Sequence, residues 1–295
     1  MLYELWILAI SSLVAATCGI VGTFLVLRRI AMVADAISHT VLLGIVGAFL
    51  VSQTLEGPLM LIGAAVVGLA TTYFIQVLDN AGVPSDAAIG VVFTSLFSVG
   101  VILVSLYARD VHLDVDHVLM GDISFAPFHT IEWNGIPMGP QAFWVILAVF
   151  IIDLALILLL YKEFKITSFD PALAAALGIP VTLLHYLLMT MVSITAVASF
   201  DAVGAILVVA LLIVPPATAY LLTEKLSRMI IVSALTGVVA AITGYYTAKY
   251  LNVSIAGCIA SAAGVLFLIA FLFSPSQGIL LRGRQRKKAA APASS

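Results

Sequence analysis

Nine long apolar runs occupy most of this chain, and short polar segments separate them. A membrane-spanning helix needs roughly 20 consecutive, mainly apolar residues, and each run approaches that length. The runs cover residues 5–27, 31–52, 58–78, 87–107, 142–161, 181–199, 202–222, 229–248 and 254–274. Run 31–52 is the weakest because it contains an aspartate and a histidine, so the chain is expected to hold eight or nine spans.

Charged residues are too scarce for a soluble fold. The chain has 13 Lys and Arg and 15 Asp and Glu residues, 28 in all among 295, whereas about a quarter of an average soluble domain is charged. Its mean hydropathy is +1.20. A soluble enzyme, a nucleic-acid-binding protein and a disordered chain are therefore excluded. The composition predicts an all-α fold, a polytopic integral membrane helix bundle.

The distribution of Lys and Arg predicts which ends of the spans face the cytoplasm, because short cytoplasmic loops are enriched in these residues. The tail 282–295 is basic and the segment 162–180 carries two lysines, which places both inside the cell. The loop 108–141 carries five acidic residues against one arginine and falls outside. We expect one transmembrane domain over residues 1–281, followed by a disordered cytoplasmic tail; nine spans would put the N-terminus outside.

Two ionisable residues, Asp35 and His39, lie at i and i+4 near the start of the second run. Residues with this spacing share one face of a helix, and ionisable side chains at membrane depth favour a functional site. A carboxylate and an imidazole can together bind a divalent cation such as Mn²⁺, Fe²⁺ or Zn²⁺. The alternative is a salt bridge between the two residues, or an interfacial pair near Arg28 and Arg29.

The cytoplasmic segment 167–180 contains a short, almost uncharged helix. Asp170 and Pro171 are typical of an N-cap and a first helical position, and Gly178 is typical of the residue that follows a helix end. The predicted helix, 171–177, is apolar although it faces the cytoplasm. It is either a docking helix for a partner protein or a connector on the membrane surface.

Pro215 and Pro216 fall near the inner end of run 202–222. Tandem prolines remove two backbone donors, which indicates either a hinge for alternating access or a kink that the packed bundle tolerates. Asp201 either lines an outer vestibule or caps this run at the water interface, and the cap is the favoured interpretation.

The acidic outer loop also carries three histidines. Together with the aspartates they could gather cations, but a solvated surface or a docking rim is the simpler interpretation. These histidines are His112, His117 and His129.

Taken together, the motifs resemble the permease subunits of metal-type ABC importers, the manganese, zinc and iron family, over roughly residues 5–274. The stretch FLVLRRIAMVADAISHTVLLG is similar to a family element of the form GDAxSHAVLPG. SFDPALAAALGIPV resembles the family segment that contacts the ATPase, and VGAILVVALLIVPPATAYLL and MGDIS resemble two further elements. The chain departs from the family at Ala34, Leu43 and Pro216, where glycine, proline and alanine are usual; these changes leave the proposed ligands intact.

The resemblance implies a permease fold that performs no covalent chemistry of its own. It implies that Asp35 and His39 bind the transported metal, and that the segment Phe169–Gly178, with Asp170 and Pro171, couples the chain to an ATPase. The implied partners are cytoplasmic ATPase subunits, a second permease chain that is identical or related, and an extracellular metal-binding delivery protein. The implied location is a bacterial plasma membrane.

Within the family the chain looks closest to the manganese members, with no permanently bound cofactor and with Mn²⁺ as substrate. Zn²⁺ or Fe²⁺ is the alternative, because a weak Mn²⁺ site made of oxygen and nitrogen ligands binds Zn²⁺ more tightly. A gradient-driven secondary transporter is a more distant alternative, and an intramembrane protease is disfavoured because HExxH and GxSxG are absent. A nucleotide-binding P-loop is also absent, which assigns ATP hydrolysis to another chain.

Overall fold

The computed structural model describes residues 2–52, 58–107, 123–124, 126–128, 130–133 and 136–274. Within these ranges nine helices are long and apolar enough to cross a membrane, so the expected helix bundle is confirmed with nine spans. The helices are α1 (Leu2–Leu27), α2 (Met32–Ser52), α3 (Pro58–Asn80), α4 (Ser85–Tyr107), α5 (Gln141–Leu159), α6 (Tyr161–Phe169), α7 (Pro171–Ala176), α8 (Val181–Val203), α9 (Ala205–Leu222), α10 (Leu226–Leu251) and α11 (Ile255–Phe273).

A short antiparallel hairpin precedes α5 and was not expected from the sequence. It consists of β1 (Thr130–Trp133) and β2 (Ile136–Pro140) and follows a single 3-10 turn, Ala126–Phe128. The basic tail and the three loop histidines, His112, His117 and His129, lie outside the described residues, as do the first three residues of the MGDIS motif.

Helices α1 and α8 form the centre of the bundle. Helix α1 packs against α5, α8, α9 and α10, and α8 packs against α1, α2, α3, α5 and α9. Helices α2, α3 and α4 pack on one another on one side of this centre, and α9, α10 and α11 do so on the other. The outer helices α4, α5 and α11 leave large apolar side chains exposed, as lipid-facing helices do.

Contacts made by α1 show which helix ends share a side of the bundle. At one end, Trp6 lies against the hairpin residue Gly139. At the other, the Phe24 ring lies 5.4 Å from the ring of Phe164 in α6. We name these the hairpin end and the basic end. Both contacts show that α1 and α5 run in the same direction, as the three spans between them, α2, α3 and α4, require.

Three hydroxyl groups in α1 bond to their own helix. Ser11, Thr17 and Thr23 each donate to the carbonyl oxygen four residues earlier, at 2.8 Å in every case. This i to i−4 arrangement satisfies a polar side chain without any partner from another helix.

The prolines of α9 do not interrupt the helix, which runs continuously through Pro215 and Pro216. Because Pro216 has no N–H group, the Leu212 carbonyl loses its helical donor. Helix α1 approaches this carbonyl at Gly22, where an added Cβ would lie 2.0 Å from the Leu212 oxygen. A close Cα–H contact of this kind partly compensates a freed carbonyl.

The sharp change of direction lies instead at Gly204, between α8 and α9. Gly204 has φ 82° and ψ 157°, a conformation that disfavours side chains. It is also the N-cap of α9, and Asp201 belongs to α8. The expectation that Asp201 caps the second of these spans is therefore wrong, because the glycine conformation ends one helix and starts the next without a loop.

Candidate functional site

The pair Asp35 and His39 lies at the basic end of α2. Asp35 is in the first turn of the helix, where the helix dipole favours a carboxylate, and His39 follows one turn later. By helical rise the two residues lie about 5 Å and about 10 Å from the start of the helix. The candidate metal site is therefore closer to the basic end than to the hairpin end.

The two side chains approach each other without a hydrogen bond. His39 Nε2 is 3.7 Å from Asp35 Oδ1, and each side chain is 40% exposed. This separation is longer than a hydrogen bond, so the carboxylate oxygen and the imidazole nitrogen both keep lone pairs available. The prediction that the spacing brings these two groups together is confirmed in geometry; their role as ligands stays a prediction.

The pair lies on a stripe of α2 that the neighbouring helices leave partly accessible. Helix α2 buries most of its residues against α3, α4 and α8, whereas Asp35 and His39 remain partly exposed. Gly47 continues the stripe two turns after His39, and a Cβ added there would have nothing within 4 Å. Part of each side chain is therefore open to space that a cation or another chain can enter.

Two aromatic rings from α4 flank the histidine. The His39 ring lies 5.5 Å from that of Phe93 and 5.8 Å from that of Phe97. Packing of this kind limits the orientations of the imidazole. No group of three or more His, Cys, Asp or Glu residues suited to a metal occurs in the part of the chain that the structure describes. As candidate ligands, Asp35 and His39 alone would make an incomplete set.

The predicted coupling segment has the expected local geometry. The Asp170 carboxylate accepts a hydrogen bond from the Leu173 amide at 2.9 Å, which caps α7. Pro171 is the first helical residue. Gly178, with φ 79°, follows the helix end, as a C-terminal glycine does. The helix closes one residue earlier than predicted, at Ala176, and Leu177 is its C-cap.

This segment exposes large apolar side chains at the basic end. Phe169, Leu173 and Leu177 are 60%, 51% and 62% exposed. They lie on α6, α7 and the residue after α7, outside the candidate spans. Exposed apolar side chains of this kind are typical of a surface that contacts a partner protein or the membrane.

Sequence reasoning missed two residues. Asp153 lies in α5, is 3% exposed, and accepts a hydrogen bond from Thr195 in α8 at 2.6 Å. Its signal was an acid inside one of the most apolar runs of the sequence, the same signal that singled out Asp35. The second residue is Arg28, which donates hydrogen bonds to Thr167 and Ser168; no sequence pattern indicates a contact across so many residues.

The comparisons with known proteins agree on one family. A family model described as the ABC 3 transport family matches residues 3–274. The manganese transport system membrane protein MntD of Bacillus subtilis is 58% identical over 282 residues, covering 96% of each chain. The zinc transport system membrane protein TroD of Treponema pallidum is 45% identical over 277 residues, covering 94% of this chain and 75% of that protein.

A solved structure matches the fold over nearly the full length. PsaBC from Streptococcus pneumoniae in complex with Fab gives a TM-score of 0.79 at 33% identity, over 96% of this chain and 96% of that chain. The similarity therefore extends over all nine long helices of the described ranges.

Proposed function

The chain belongs to the ABC 3 transport family, and on this premise we propose that it is the membrane-spanning permease of an importer that carries Mn²⁺ into a bacterial cytoplasm. The observation that carries the proposal is the partly exposed pair Asp35 and His39, side by side on a helix that buries 11 of its 21 residues. The manganese-named relative at 58% identity supports the choice of ion.

In this proposal the basic end of the bundle faces the cytoplasm. Six of the seven Lys and Arg residues in the described ranges lie at this end, all except Lys249. Such enrichment is typical of cytoplasmic loops. The hairpin end then faces outward and receives the metal from an extracellular binding protein, and the C-terminus is cytoplasmic.

A second permease chain completes the metal site. Mn²⁺ favours oxygen and nitrogen ligands in sets of about six, and one chain offers the Asp35 carboxylate and the His39 imidazole. Two chains that face each other across the accessible stripes of α2 supply two carboxylates and two imidazoles. The open space at Gly47 supports a close approach of helices along this stripe.

A separate ATPase binds the coupling segment and supplies the energy. The apolar side chains of Phe169, Leu173 and Leu177 fit a groove on a partner, in the way that an amphipathic helix binds. Movement of the segment after ATP binding then opens Asp35 and His39 alternately to the outside and to the cytoplasm. Pro215 and Pro216 remain a candidate hinge for this movement.

Zn²⁺ import is the second candidate, because a zinc-named relative is 45% identical over 277 residues. The ligand pair itself accepts Zn²⁺ as well as Mn²⁺, and Fe²⁺ has the same ligand preference. Uptake measurements with the three ions separate these functions.

The test is reconstitution of the chain with its ATPase and second permease in proteoliposomes. We expect uptake of Mn²⁺ that requires ATP, and co-purification of the ATPase that is lost when Leu173 and Leu177 are both changed to aspartate. Preference for Zn²⁺ or Fe²⁺ would overturn the choice of ion. Metal uptake by the isolated chain without ATP would overturn the importer itself and favour a gradient-driven transporter.

A further inference from the structure

Arg28 joins the end of α1 to the coupling segment. Its Nε donates to Ser168 Oγ at 3.1 Å and its terminal nitrogen donates to Thr167 Oγ1 at 2.8 Å. Both acceptors lie in the last turn of α6, directly before the Asp170 cap of α7. Any movement of α6 and α7 therefore pulls on the Arg28 side chain.

Arg28 is also close in sequence to Asp35 and His39, the candidate metal ligands. Arg29 adopts a left-handed conformation with φ 59°, which turns the chain tightly after α1. Within this turn the Ile30 amide donates to the Leu25 carbonyl, and the Val33 amide donates to the Ile30 carbonyl. Helix α2 begins at Met32, and its first turn carries Asp35. The Arg28 side chain and the tight turn at residues 28–31 thus connect α6 to Asp35 and His39.

The charges at this contact are not matched in the present conformation. Arg28 is half-buried, and burial lowers the pKa of its guanidinium to about 10, so it stays charged at neutral pH. Its two side-chain acceptors are neutral hydroxyls. Nearby in α6, Glu163 Oε2 is buried and has no hydrogen-bond partner among the described residues. A buried charge without a partner of opposite sign is costly.

Glu163 and Thr167 are stacked on one face of α6. They are four residues apart, and the Thr167 hydroxyl donates to the Glu163 carbonyl at 2.8 Å. A shift of α6 by one helical turn, about 5 Å, would place Glu163 where Thr167 now meets Arg28. One-turn shifts between packed helices are a known form of conformational switching.

From this arrangement we propose that Arg28 is a two-position latch of the transport cycle. In the present position it holds Thr167 and Ser168, and in the alternate position it forms an ion pair with Glu163. The change of Arg28 between these two positions transmits movement of the coupling segment, through the turn at residues 28–31, to Asp35 and His39. This inference rests on the proposed function, and Arg28 and Glu163 act as positioning residues that do not touch the ion.

The first experiment compares transport with ATP hydrolysis in the reconstituted complex. We expect Arg28→Gln and Glu163→Gln each to lower Mn²⁺ uptake about tenfold, with ATPase activity and thermal stability retained. The double variant should lose no more than either single variant, because both remove the same ion pair. Arg28→Lys, which keeps the charge, should restore part of the uptake. Lys162→Gln and Lys165→Gln, which remove exposed charges from α6, are the matched controls.

Several outcomes would overturn the latch. If Glu163→Gln keeps wild-type uptake, transport does not need an ion pair between Arg28 and Glu163. If Arg28→Gln loses stability, ATPase activity and uptake together, the contact of Arg28 with α6 is a static structural one. Additive losses in the double variant also contradict the proposal. If the wild-type complex takes up no Mn²⁺ with ATP, the proposed function fails by itself, and the latch is then decided by a distance measurement.

That measurement does not depend on the metal. Spin labels at Met32→Cys and Lys162→Cys, both exposed positions, report the distance between the start of α2 and α6 by double electron–electron resonance, in a chain with Cys258→Ser. We expect ATP to change this distance by about 5 Å, one helical turn, and Glu163→Gln to abolish the change. A distance that is unaffected by ATP overturns the latch.

Discussion

Asp35 and Asp153 are both carboxylates within apolar helices, and their surroundings differ in every respect that matters for an ion. Asp35 is 40% exposed, lies in the first turn of α2 and has the His39 imidazole 3.7 Å away. Asp153 is 3% exposed, lies more than one turn from either end of α5 and is hydrogen bonded to Thr195 at 2.6 Å.

The difference shows what makes an acid at membrane depth suitable as a ligand. An ion reaches a carboxylate only where the carboxylate faces open space, and it is held only where further ligands converge. Asp35 meets the first condition and half of the second. Asp153 meets neither in this conformation, and its hydrogen bond joins α5 to α8. The first acid should therefore govern transport, and the second should govern stability.

Removing the Asp35 charge is the strongest test of this contrast. Changes around a metal ligand cost about 10–100-fold in affinity, so Asp35→Asn should reduce Mn²⁺ uptake by about 100-fold or more while thermal unfolding stays unchanged. The measurement is ATP-dependent Mn²⁺ uptake in proteoliposomes. Asp86→Asn is the matched control, because Asp86 is also in the first turn of a long helix at the basic end. Normal uptake by Asp35→Asn would contradict the assignment of Asp35 as a ligand of the transported metal.

Removing the imidazole should have the next largest effect. His39→Ala deletes one neutral ligand and leaves the carboxylate charge, so we expect the half-saturating Mn²⁺ concentration to rise about 10–100-fold. His185→Ala is the control, since the His185 ring contacts the ring of Tyr186 outside the metal pair. Equal effects of the two alanine variants on half-saturation would contradict the role of His39.

Removing the buried acid should reverse the pattern. Asp153→Ala leaves the Thr195 hydroxyl without its partner and opens a cavity, which should lower the free energy of unfolding by about 2–3 kcal/mol. Uptake per folded complex should stay near that of the wild type. The measurements are denaturant unfolding in detergent and uptake normalised to folded protein. Asp153→Asn, which keeps a hydrogen-bonding group, should be milder. A stable Asp153→Ala protein without uptake would make Asp153 a transport residue.

An acid at the water interface should matter least. Glu4 pairs with Lys249 at the hairpin end, and both side chains are exposed, 40% and 53%. Exposed pairs contribute little because water and salt screen them. Glu4→Gln should change neither thermal stability nor Mn²⁺ uptake beyond experimental error. A clear loss of uptake would show that charge at the hairpin end takes part in receiving the ion.

Most of the architecture followed from patterns local in sequence. The nine apolar runs became the nine long helices because the length of a span is fixed by membrane thickness and needs no tertiary information. The Asp170 cap and the Gly178 end of α7 were predicted for the same reason, since capping involves residues within one turn. The proximity of Asp35 and His39 follows from helical geometry alone.

The features that were missed depend on contacts between distant segments. Arg28 contacts Thr167 only because α1 and α6 pack together. Asp153 accepts a hydrogen bond from Thr195 only because α5 packs against α8. The break between these two spans was predicted at residues 200–201 and lies at Gly204, because one glycine in an apolar run gives only a weak local signal. Packing at Gly22 accommodates Pro215 and Pro216 within a continuous helix. The hairpin has too few residues to produce a clear strand pattern.

The hydroxyls of α1 have a consequence for biosynthesis. The helices against which α1 packs in the bundle all follow it in the sequence, the first of them α5. The newly made α1 therefore enters the lipid before any of these partners has been translated. Because Ser11, Thr17 and Thr23 already bond to their own helix, these three hydroxyls need no partner from a later helix, and assembly can proceed in the order of synthesis.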